Sequence, residues 1–338
     1  MYVRKASIVA SVTALILGII VFGAGSAAAG QKGVTASAGH KGVTSLTIGF
    51  AQRTSNAPYY VAMQKEAQRL ATEQHFKLLF QSAGGDPVQQ INQVQTMQSQ
   101  GVDVLIVNAA SAGTEKVQMT AAAKQKPLLF IDTPIPGVGF TTVQSDNLTI
   151  GHEAGSLLAQ RLGRGKTVKI AILNGGPADV DVGPVRRKGF LTGLKDGGVT
   201  YQIVAEANAN YTQDQAVAQT EDMLAAHRDI DVIFGYNDAM ALGALTVLKN
   251  KSNRHVLVAG VDGQKQALAM IKNGGCGGQY VSTGLNSPTL AARDAIQTAI
   301  EVGTGQKKVS AFPKVTYTKA VGIDCHNVGK YYAPNSAF

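Results

Sequence analysis

The sequence predicts an α/β protein made of two doubly wound parallel-sheet lobes. Between residues 46 and 321, short apolar segments rich in β-branched residues alternate with longer amphipathic segments. This is the pattern of βαβ units in parallel sheets. The chain has 338 residues, of which 45% are hydrophobic and only 16% are charged, so it can bury a large core. About ten predicted strands suit two sheets better than one.

The first half of the chain alternates strands with helices. Apolar residues at helical spacing, such as Val61, Ala62 and Leu70, mark the first helix, and a turn at residues 84–87 leads into a glutamine-rich second helix. The predicted strands are residues 46–50, 76–81, 102–107 and 128–131, and the predicted helices are residues 59–73, 88–100 and 114–126. Residues 141–147 form a predicted connection to the second half.

The second half repeats the same alternation. The predicted strands are residues 167–173, 201–205, 231–234, 256–260, 279–283 and 314–321, and the predicted helices are residues 150–162, 185–195, 212–227, 264–272 and 288–302, with a further helix beginning near residue 239. Between the strand at 231–234 and that helix, Asn237 and Asp238 occupy the predicted N-cap, with Asp238 able to cap it. Ligands of open α/β sheets bind beyond the carboxyl ends of strands. Asn237 and Asp238 therefore lie at a predicted site, although a simple strand-to-helix turn would use the same residues.

The N-terminus has the composition of a secretory signal peptide. Arg4 and Lys5 precede an uncharged apolar run over residues 6–22, and small residues follow at 26–29. We expect cleavage after Ala29; an uncleaved membrane anchor is the alternative, because the apolar run approaches the length of a span. Residues 30–45 are rich in Gly, Ala, Ser and Thr and are predicted to be a flexible linker.

The charge and the two cysteines narrow the class of protein. The formal charge is +9, and removing Arg4 and Lys5 lowers it to +7. The basic residues are scattered and the chain is predicted to be exported, so nucleic acid is not an expected partner. Cys276 and Cys325 would enter an oxidising compartment, where one disulfide is expected. Two free thiols, or a zinc site with His326, are the alternatives.

The sequence contains no recognised catalytic or phosphate-binding motif. No glycine-rich nucleotide loop follows a strand, and the six histidines have no nucleophile motif beside them. Asp179 and Asp181 are the one candidate acid pair. We therefore expect neither an enzyme nor a cofactor.

Polar and aromatic side chains follow the predicted strands. These residues are 52–60, Asn108, Asp132, Thr133, 174–181, Asn210, Tyr211, Asn237, Asp238 and Asp262. Carboxylates and amides can each bind neighbouring hydroxyl groups, and an aromatic ring can cover the C–H face of a sugar. The sequence therefore predicts a site for a neutral polyhydroxylated ligand.

The chain also resembles the ribose-binding-protein-like family of type I periplasmic binding proteins, the sugar receptors of ABC importers. The resemblance runs from about residue 46 to 332 and rests on Asn56-Ala57-Pro58-Tyr59-Tyr60, residues 101–106, Asp132, Ser145-Asp146-Asn147, Arg186 with Gly189-Phe190, residues 237–243 and Val261-Asp262-Gly263. It implies two lobes joined by three crossovers, near Ser145, Leu285 and Ala311. The implied lobes are residues 46–145 with 285–311, and residues 146–284 with 312–338.

The resemblance also implies roles for individual residues. Tyr60 and Tyr211 would stack on a sugar ring, and Asp132, Asn237 and Asp262 would bind its hydroxyl groups. The full implied ligand set is Gln52, Arg53, Asn56, Tyr59, Tyr60, Asp132, Thr133, Arg186, Tyr211, Asn237, Asp262 and Asn286. Four positions depart from the ribose-receptor pattern, namely Ala57, Thr133, Pro184 and Val261, where the family has an amide, two arginines and an aromatic residue. These departures mean that the resemblance does not specify ribose, and the identity of the sugar or polyol is left open.

We thus expect a periplasmic receptor that delivers a monosaccharide or sugar alcohol to the membrane subunits of an ABC permease, and that acts as a monomer. The open alternative is a signal receptor that docks on a chemoreceptor or other membrane sensor. A sugar-responsive repressor of the same fold is disfavoured, because a signal peptide stands where a DNA-binding domain would be.

Overall fold

The computed structural model describes residues 41–177, 179–250, 255–336 and 338. Strands and helices alternate through the first half of this region. The strands are β1 (Thr47–Gln52), β2 (Lys77–Ser82), β3 (Val104–Val107), β4 (Leu128–Ile131) and β5 (Thr142–Gln144), and the helices between them are α1 (Pro58–Gln74), α2 (Pro87–Ser99) and α3 (Ala112–Gln125). Proline at the first position and the Asp86 side chain, which accepts from the Val88 and Gln89 N–H groups, define the start of α2.

The second half repeats the alternation. Its helices are α4 (Asn147–Leu162), α5 (Gly183–Asp196), α6 (Gln213–Ala226), α7 (Asp238–Asn250), α8 (Lys265–Gly274) and α9 (Pro288–Gly303). Its strands are β6 (Thr167–Asn174), β7 (Thr200–Asn208), β8 (Val232–Gly235), β9 (Leu257–Asp262), β10 (Tyr280–Leu285), β11 (Val315–Tyr317) and β12 (Gly322–Ile323).

The strands form two six-stranded sheets with matching order. The first sheet runs β2-β1-β3-β4-β5-β11 and the second runs β7-β6-β8-β9-β10-β12. All pairings are parallel except that of β12, which runs antiparallel to β10. Each sheet reverses its strand order beside its first strand, which confirms the predicted doubly wound fold class.

Helices cover both faces of each sheet and bury its apolar residues. In the second lobe, Phe190 of α5 stacks on Phe234 of β8 with ring centroids 3.9 Å apart. Helices α4 and α5 approach closely because each carries glycine at the contact. A Cβ atom on Gly151 would lie 2.3 Å from the Arg186 carbonyl oxygen, and one on Gly189 would lie 2.1 Å from the Leu148 carbonyl oxygen. This close packing fixes the position of the first turns of α5.

The predicted elements for which both ends were given agree with the structure within three residues at each end, with two exceptions. The connection predicted for residues 141–147 contains β5, a three-residue strand too short to show alternation. The final strand predicted for residues 314–321 is wrong, since β11 pairs with β5 in the first sheet and β12 pairs with β10 in the second. Residues 315–317 therefore belong to the first lobe, and the third crossover follows Tyr317 rather than Ala311.

Two further details correct the predictions. Asn237, not Asp238, caps α7, because Asn237 Oδ1 accepts from the Met240 N–H over 2.9 Å. The predicted linker reaches too far, since Val43–Ser45 form a 3₁₀ turn and Lys41 pairs with Asp103. The predicted signal peptide, residues 1–29, lies outside the described residues. Within the described part of the chain, no helix combines the length and the apolarity that a bilayer span requires.

Candidate ligand-binding cleft

Side chains from the carboxyl ends of both sheets meet in one hydrogen-bonded group. The Tyr59 hydroxyl lies 3.2 Å from Asp132 Oδ1 and 3.3 Å from Asn286 Oδ1. Asn286 Nδ2 donates to Asp262 Oδ1 over 3.1 Å, and the same oxygen lies 3.0 Å from Arg186 Nη1. Tyr59 and Asp132 belong to the first lobe, and Asp262 and Arg186 to the second. We call these five residues the cleft network; all five belong to the predicted ligand set.

Arg186 is held in place from three sides. Its Nε donates to Asn147 Oδ1 and its Nη1 donates to the Tyr236 carbonyl oxygen, both over 2.8 Å, in addition to the contact with Asp262. The side chain is 5% exposed. Because the guanidinium is planar, these contacts fix its orientation as well as its position. Arg186 therefore helps to hold Asp262 in the cleft network.

Burial shifts the acid–base behaviour of the two aspartates. It raises the pKa of Asp262 to about 7, although the Arg186 guanidinium acts to lower it. Burial likewise raises the pKa of Asp132, with Arg186 as the largest opposing influence. The network contains one guanidinium, which contacts Asp262, and two carboxyl groups whose neutral forms are favoured by burial. This electrostatic balance suits a neutral ligand.

The loops around the network have unusual backbone conformations. Positive φ angles occur at Asp132 (63°), Asn210 (46°), Tyr211 (61°) and Asp262 (133°). Residues other than glycine seldom adopt such angles, and they concentrate at functional sites. Three of these four residues belong to the predicted ligand set, and Asn210 precedes one of them. The backbone conformation after these strands therefore sets the directions in which these side chains leave the chain.

Three tyrosines line the same region. The Tyr59 and Tyr60 rings pack edge to face with centroids 5.3 Å apart. The Tyr211 hydroxyl donates to Asp179 Oδ2 over 2.5 Å. Burial raises the pKa of all three tyrosines, so each remains a neutral phenol that can donate a hydrogen bond.

Several predicted ligand residues are engaged by the protein itself. Thr133 Oγ1 donates to the Ala109 carbonyl oxygen over 2.9 Å. Asn237 Nδ2 donates to the Tyr211 carbonyl oxygen over 3.2 Å, so Asn237 supports Tyr211. Gln52 is buried and donates to Thr54 and Ser55, while its Oε1 has no hydrogen-bond partner among the described residues. Arg53 donates its backbone N–H to the Asn108 side chain, and Asn56 is exposed. Their roles toward a ligand remain predictions.

Three residues outside the predicted set also shape the site. Asn147 orients Arg186, and Asn108 ties the first-lobe loops together by donating to the Ile131 carbonyl oxygen and to Thr133 Oγ1. Asp179 binds Tyr211 and accepts from the Gly183 N–H. Asn108 and Asp179 lie just after predicted strands, and that position is the sequence signal that marks them, whereas Asn147 lies in the predicted connection at residues 141–147.

Cys276 and Cys325 form the predicted disulfide, 49 residues apart in sequence. His326 Nε2 lies 3.8 Å from Cys276 Sγ. Because both sulfur atoms are bonded to each other, neither is available as a thiolate for a metal ion. The bond joins the end of α8 to the segment after β12, within the second lobe.

Comparison with known proteins identifies the family. A family model described as the periplasmic binding protein domain matches residues 48–307. The chain belongs to this family. Its members are binding proteins, so the chain is a binding protein and not an enzyme, as predicted. The match also confirms the predicted relation to ribose-binding-protein-like receptors.

Individual relatives are similar to this chain over most of its length. The chain is 32% identical over 263 residues to a ribose import binding protein of Bacillus subtilis, covering 77% of this chain and 83% of that protein. It is 29% identical over 260 residues to a xylitol-binding protein of Mycolicibacterium smegmatis, covering 73% and 70%. A solved ABC transporter solute-binding protein from Mycobacterium smegmatis, with bound glycerol, is 30% identical with a TM-score of 0.75, covering 86% and 98%.

Proposed function

We propose that this periplasmic binding protein captures a sugar alcohol or a small monosaccharide between its lobes and delivers it to an ABC permease. The observation that carries the proposal is the cleft network, in which Tyr59, Asp132, Asn286, Asp262 and Arg186 join the two lobes. A ligand with several hydroxyl groups can donate to these carboxylates from both sides. Hinged closure would then remove the ligand from water and strengthen those hydrogen bonds.

Acceptor atoms dominate the network, which favours a ligand whose oxygen atoms all carry hydrogen. When ionised, Asp132 and Asp262 can only accept hydrogen bonds, and Arg186 uses Nε and Nη1 to contact Asn147, Tyr236 and Asp262. A sugar alcohol meets this condition fully, whereas a ring sugar also presents a ring oxygen that only accepts. The relatives that bind xylitol or hold glycerol support this preference.

The residue pattern also argues for a ligand other than ribose. Thr133 and Pro184 stand where ribose receptors carry arginine, and the Thr133 hydroxyl is bound within the first lobe. Two donors for a ribose ring are therefore missing from the positions where that family has them. We accordingly place pentitols ahead of pentoses.

Thermal unfolding against a ligand panel tests the proposal directly. The panel is xylitol, ribitol, D-arabitol, myo-inositol, glycerol, D-ribose and D-glucose, with ribose 5-phosphate as the charged control. A ligand at a hundredfold excess over its dissociation constant adds about 2.7 kcal/mol to the free energy of unfolding. We expect the largest rise in Tm with a pentitol and none with the phosphate. The proposal would be contradicted if only ribose 5-phosphate raised the Tm, or if none of the compounds raised it.

Delivery to a permease and export require separate measurements. We expect N-terminal sequencing of the exported protein to find residue Gly30 at its start. Deleting the gene should abolish high-affinity uptake of the radiolabelled ligand identified by the panel. Unchanged uptake, with a lost chemotactic response to the same ligand, would favour a sensory role instead.

A further inference from the structure

The last residues of the sequence return to the cleft from the second lobe. Val328 is 4% exposed within the second-lobe core, and Cys325 is held by the disulfide. The next segment carries Tyr332 beneath the Lys272 ammonium, 4.7 Å from the ring centroid. Residues 333–335 are then exposed, whereas Ser336 and Phe338 are partly buried again. We call residues 333–336 together with Phe338 the strap.

The strap contacts both lobes. On the second lobe, Lys265 Nζ donates to the Ser336 carbonyl oxygen over 2.5 Å. Lys265 begins α8, three residues after Asp262. On the first lobe, the Phe338 ring packs edge to face on Tyr59 with centroids 5.6 Å apart and an interplanar angle of 85°. Ser336 and Phe338 bind each other through the Phe338 N–H, 3.2 Å from Ser336 Oγ. The strap therefore passes from the Asp262 side of the cleft to the Tyr59 side.

This contact depends on the distance between the lobes. Tyr59 belongs to α1 in the first lobe, whereas Lys265 and Val328 belong to the second. Rotation of the lobes away from each other would separate Phe338 from Tyr59 unless the strap left Lys265. The Phe338–Tyr59 contact thus stabilises the closed arrangement of the two lobes and opposes their separation.

We infer that Phe338 is a wall of the ligand cleft and that the strap retains the ligand by holding the lobes closed. The ring packs on the same tyrosine whose hydroxyl contacts Asp132 and Asn286. An aromatic surface at that point can cover the C–H groups of a sugar or a sugar alcohol. The inference rests on the proposed function for the identity of the ligand, but the lobe contact itself does not.

Dissociation kinetics of strap variants test the inference. The probes are xylitol, ribitol and D-ribose, followed by stopped-flow tyrosine fluorescence and by calorimetry. Phe338→Ala should weaken binding about three- to tenfold, mainly through faster dissociation, because an edge-to-face aromatic pair is lost. Lys265→Met should act in the same direction. The double variant should lose little more than the stronger single variant, since both changes release one strap.

Phe312→Ala is the matched control. Phe312 packs on Phe140 with the same 5.6 Å centroid separation, in the first lobe and outside the cleft network. Its removal should leave the dissociation rate unchanged. Equal kinetics for Phe338→Ala and the native chain would overturn the inference. Tighter binding by Phe338→Ala would also overturn it, because the ring would then be competing with the ligand.

The lobe contact can be tested without any ligand. Small-angle X-ray scattering of the free protein should give a larger mean radius of gyration for Phe338→Ala than for the native chain or Phe312→Ala. If no probe binds the native chain, the proposed function fails, and the scattering result still decides the strap. If the probes bind the native chain and Phe338→Ala alike, only the strap fails.

Discussion

The two lobes have matching strand order but different chemistry where they face the cleft. In the first lobe, Asn108 and Thr133 bind backbone carbonyl groups, and Asp132 is the carboxylate of the network. In the second lobe, Arg186 and Asp262 form a buried ion pair. The disulfide also lies in the second lobe. A shared topology therefore determines where the site lies, while residues at the strand ends determine what each half of it can bind.

The second lobe also contains a buried aspartate, Asp238, whose hydrogen-bond partners lie within that lobe. Asp238 Oδ1 accepts from the Tyr280 hydroxyl over 2.6 Å and from the Thr283 hydroxyl over 2.7 Å. Its Oδ2 accepts from the Gln264 N–H over 2.7 Å. Asp238 and Asp262 are both buried near strand ends, yet only Asp262 joins the cleft network. Burial and position alone therefore do not distinguish a structural aspartate from a binding one.

Replacing Asp238 should have the largest effect on stability. Asp238→Ala leaves two buried hydroxyl groups and one N–H group without their acceptor, so we expect the free energy of unfolding to fall by about 3–5 kcal/mol. Asp132→Ala is the first-lobe comparison and should lower it by less than about 1 kcal/mol, because its partners border the cleft. Urea unfolding of the free protein measures both. Equal losses would remove the contrast between the lobes.

Loss of the disulfide should destabilise the second lobe next most strongly. Cys276→Ser with Cys325→Ser opens a loop that spans 49 residues of sequence separation, which we expect to cost about 2–4 kcal/mol. In this variant, the hydrogen-exchange rates of backbone amides should increase more in β10 and α8 than in β1 and β3. A uniform rise across both sheets would show that the lobes unfold as one unit. The native protein with a reducing agent is the control and should match the double variant.

Asp262→Asn sharpens the comparison at the level of binding. Removing the charge that Asn286 and Arg186 contact should weaken binding of the panel ligand by more than about 1 kcal/mol. Thr133→Val is the first-lobe counterpart, and we expect it to leave affinity within about 0.5 kcal/mol, because that hydroxyl binds Ala109. Isothermal titration calorimetry measures both. A larger loss for Thr133→Val would place the ligand nearer the first lobe.

Replacing Glu115, in the first lobe, should have the smallest effect on the free energy of unfolding. Burial raises the pKa of Glu115 to about 7, and within the part of the chain that the structure describes, its Oε2 has no hydrogen-bond partner. The folded state therefore binds a proton more tightly than the unfolded state, so this group lowers the free energy of unfolding as pH rises from about 4.5 to 7. Glu115→Gln cannot ionise. We expect the variant to gain about 1 kcal/mol relative to the native chain between pH 5 and pH 8.

Urea unfolding at both pH values measures the Glu115 effect. Asp262→Asn under the same conditions separates the contribution of the second lobe, since burial also raises the pKa of Asp262 to about 7. A stability difference between Glu115→Gln and the native chain that stays constant with pH would show that Glu115 is ionised throughout this range.

Most of the fold could be predicted from the sequence because its signals are local. Strands such as β4 and β8 are continuous apolar segments, and the amphipathic helices carry a helical period. Strands β5, β11 and β12 have only two or three residues, so no periodicity can develop in them. Their pairing is decided by neighbouring strands, which explains the misplaced third crossover.

The sequence by itself determined the alternation of strands and helices, the strand-end positions of Asp132, Tyr211 and Asp262, and the presence of two cysteines. Only the tertiary structure decided which of these side chains meet. Asp238 and Asp262 both follow predicted strands, but Asp238 accepts from two residues of β10, whereas Asp262 contacts Asn286 and Arg186. Phe338 and Tyr59 are far apart along the chain, and their contact exists because the last segment packs on one lobe and reaches the other. Such contacts depend on how distant elements are placed, and no local pattern of residues encodes that.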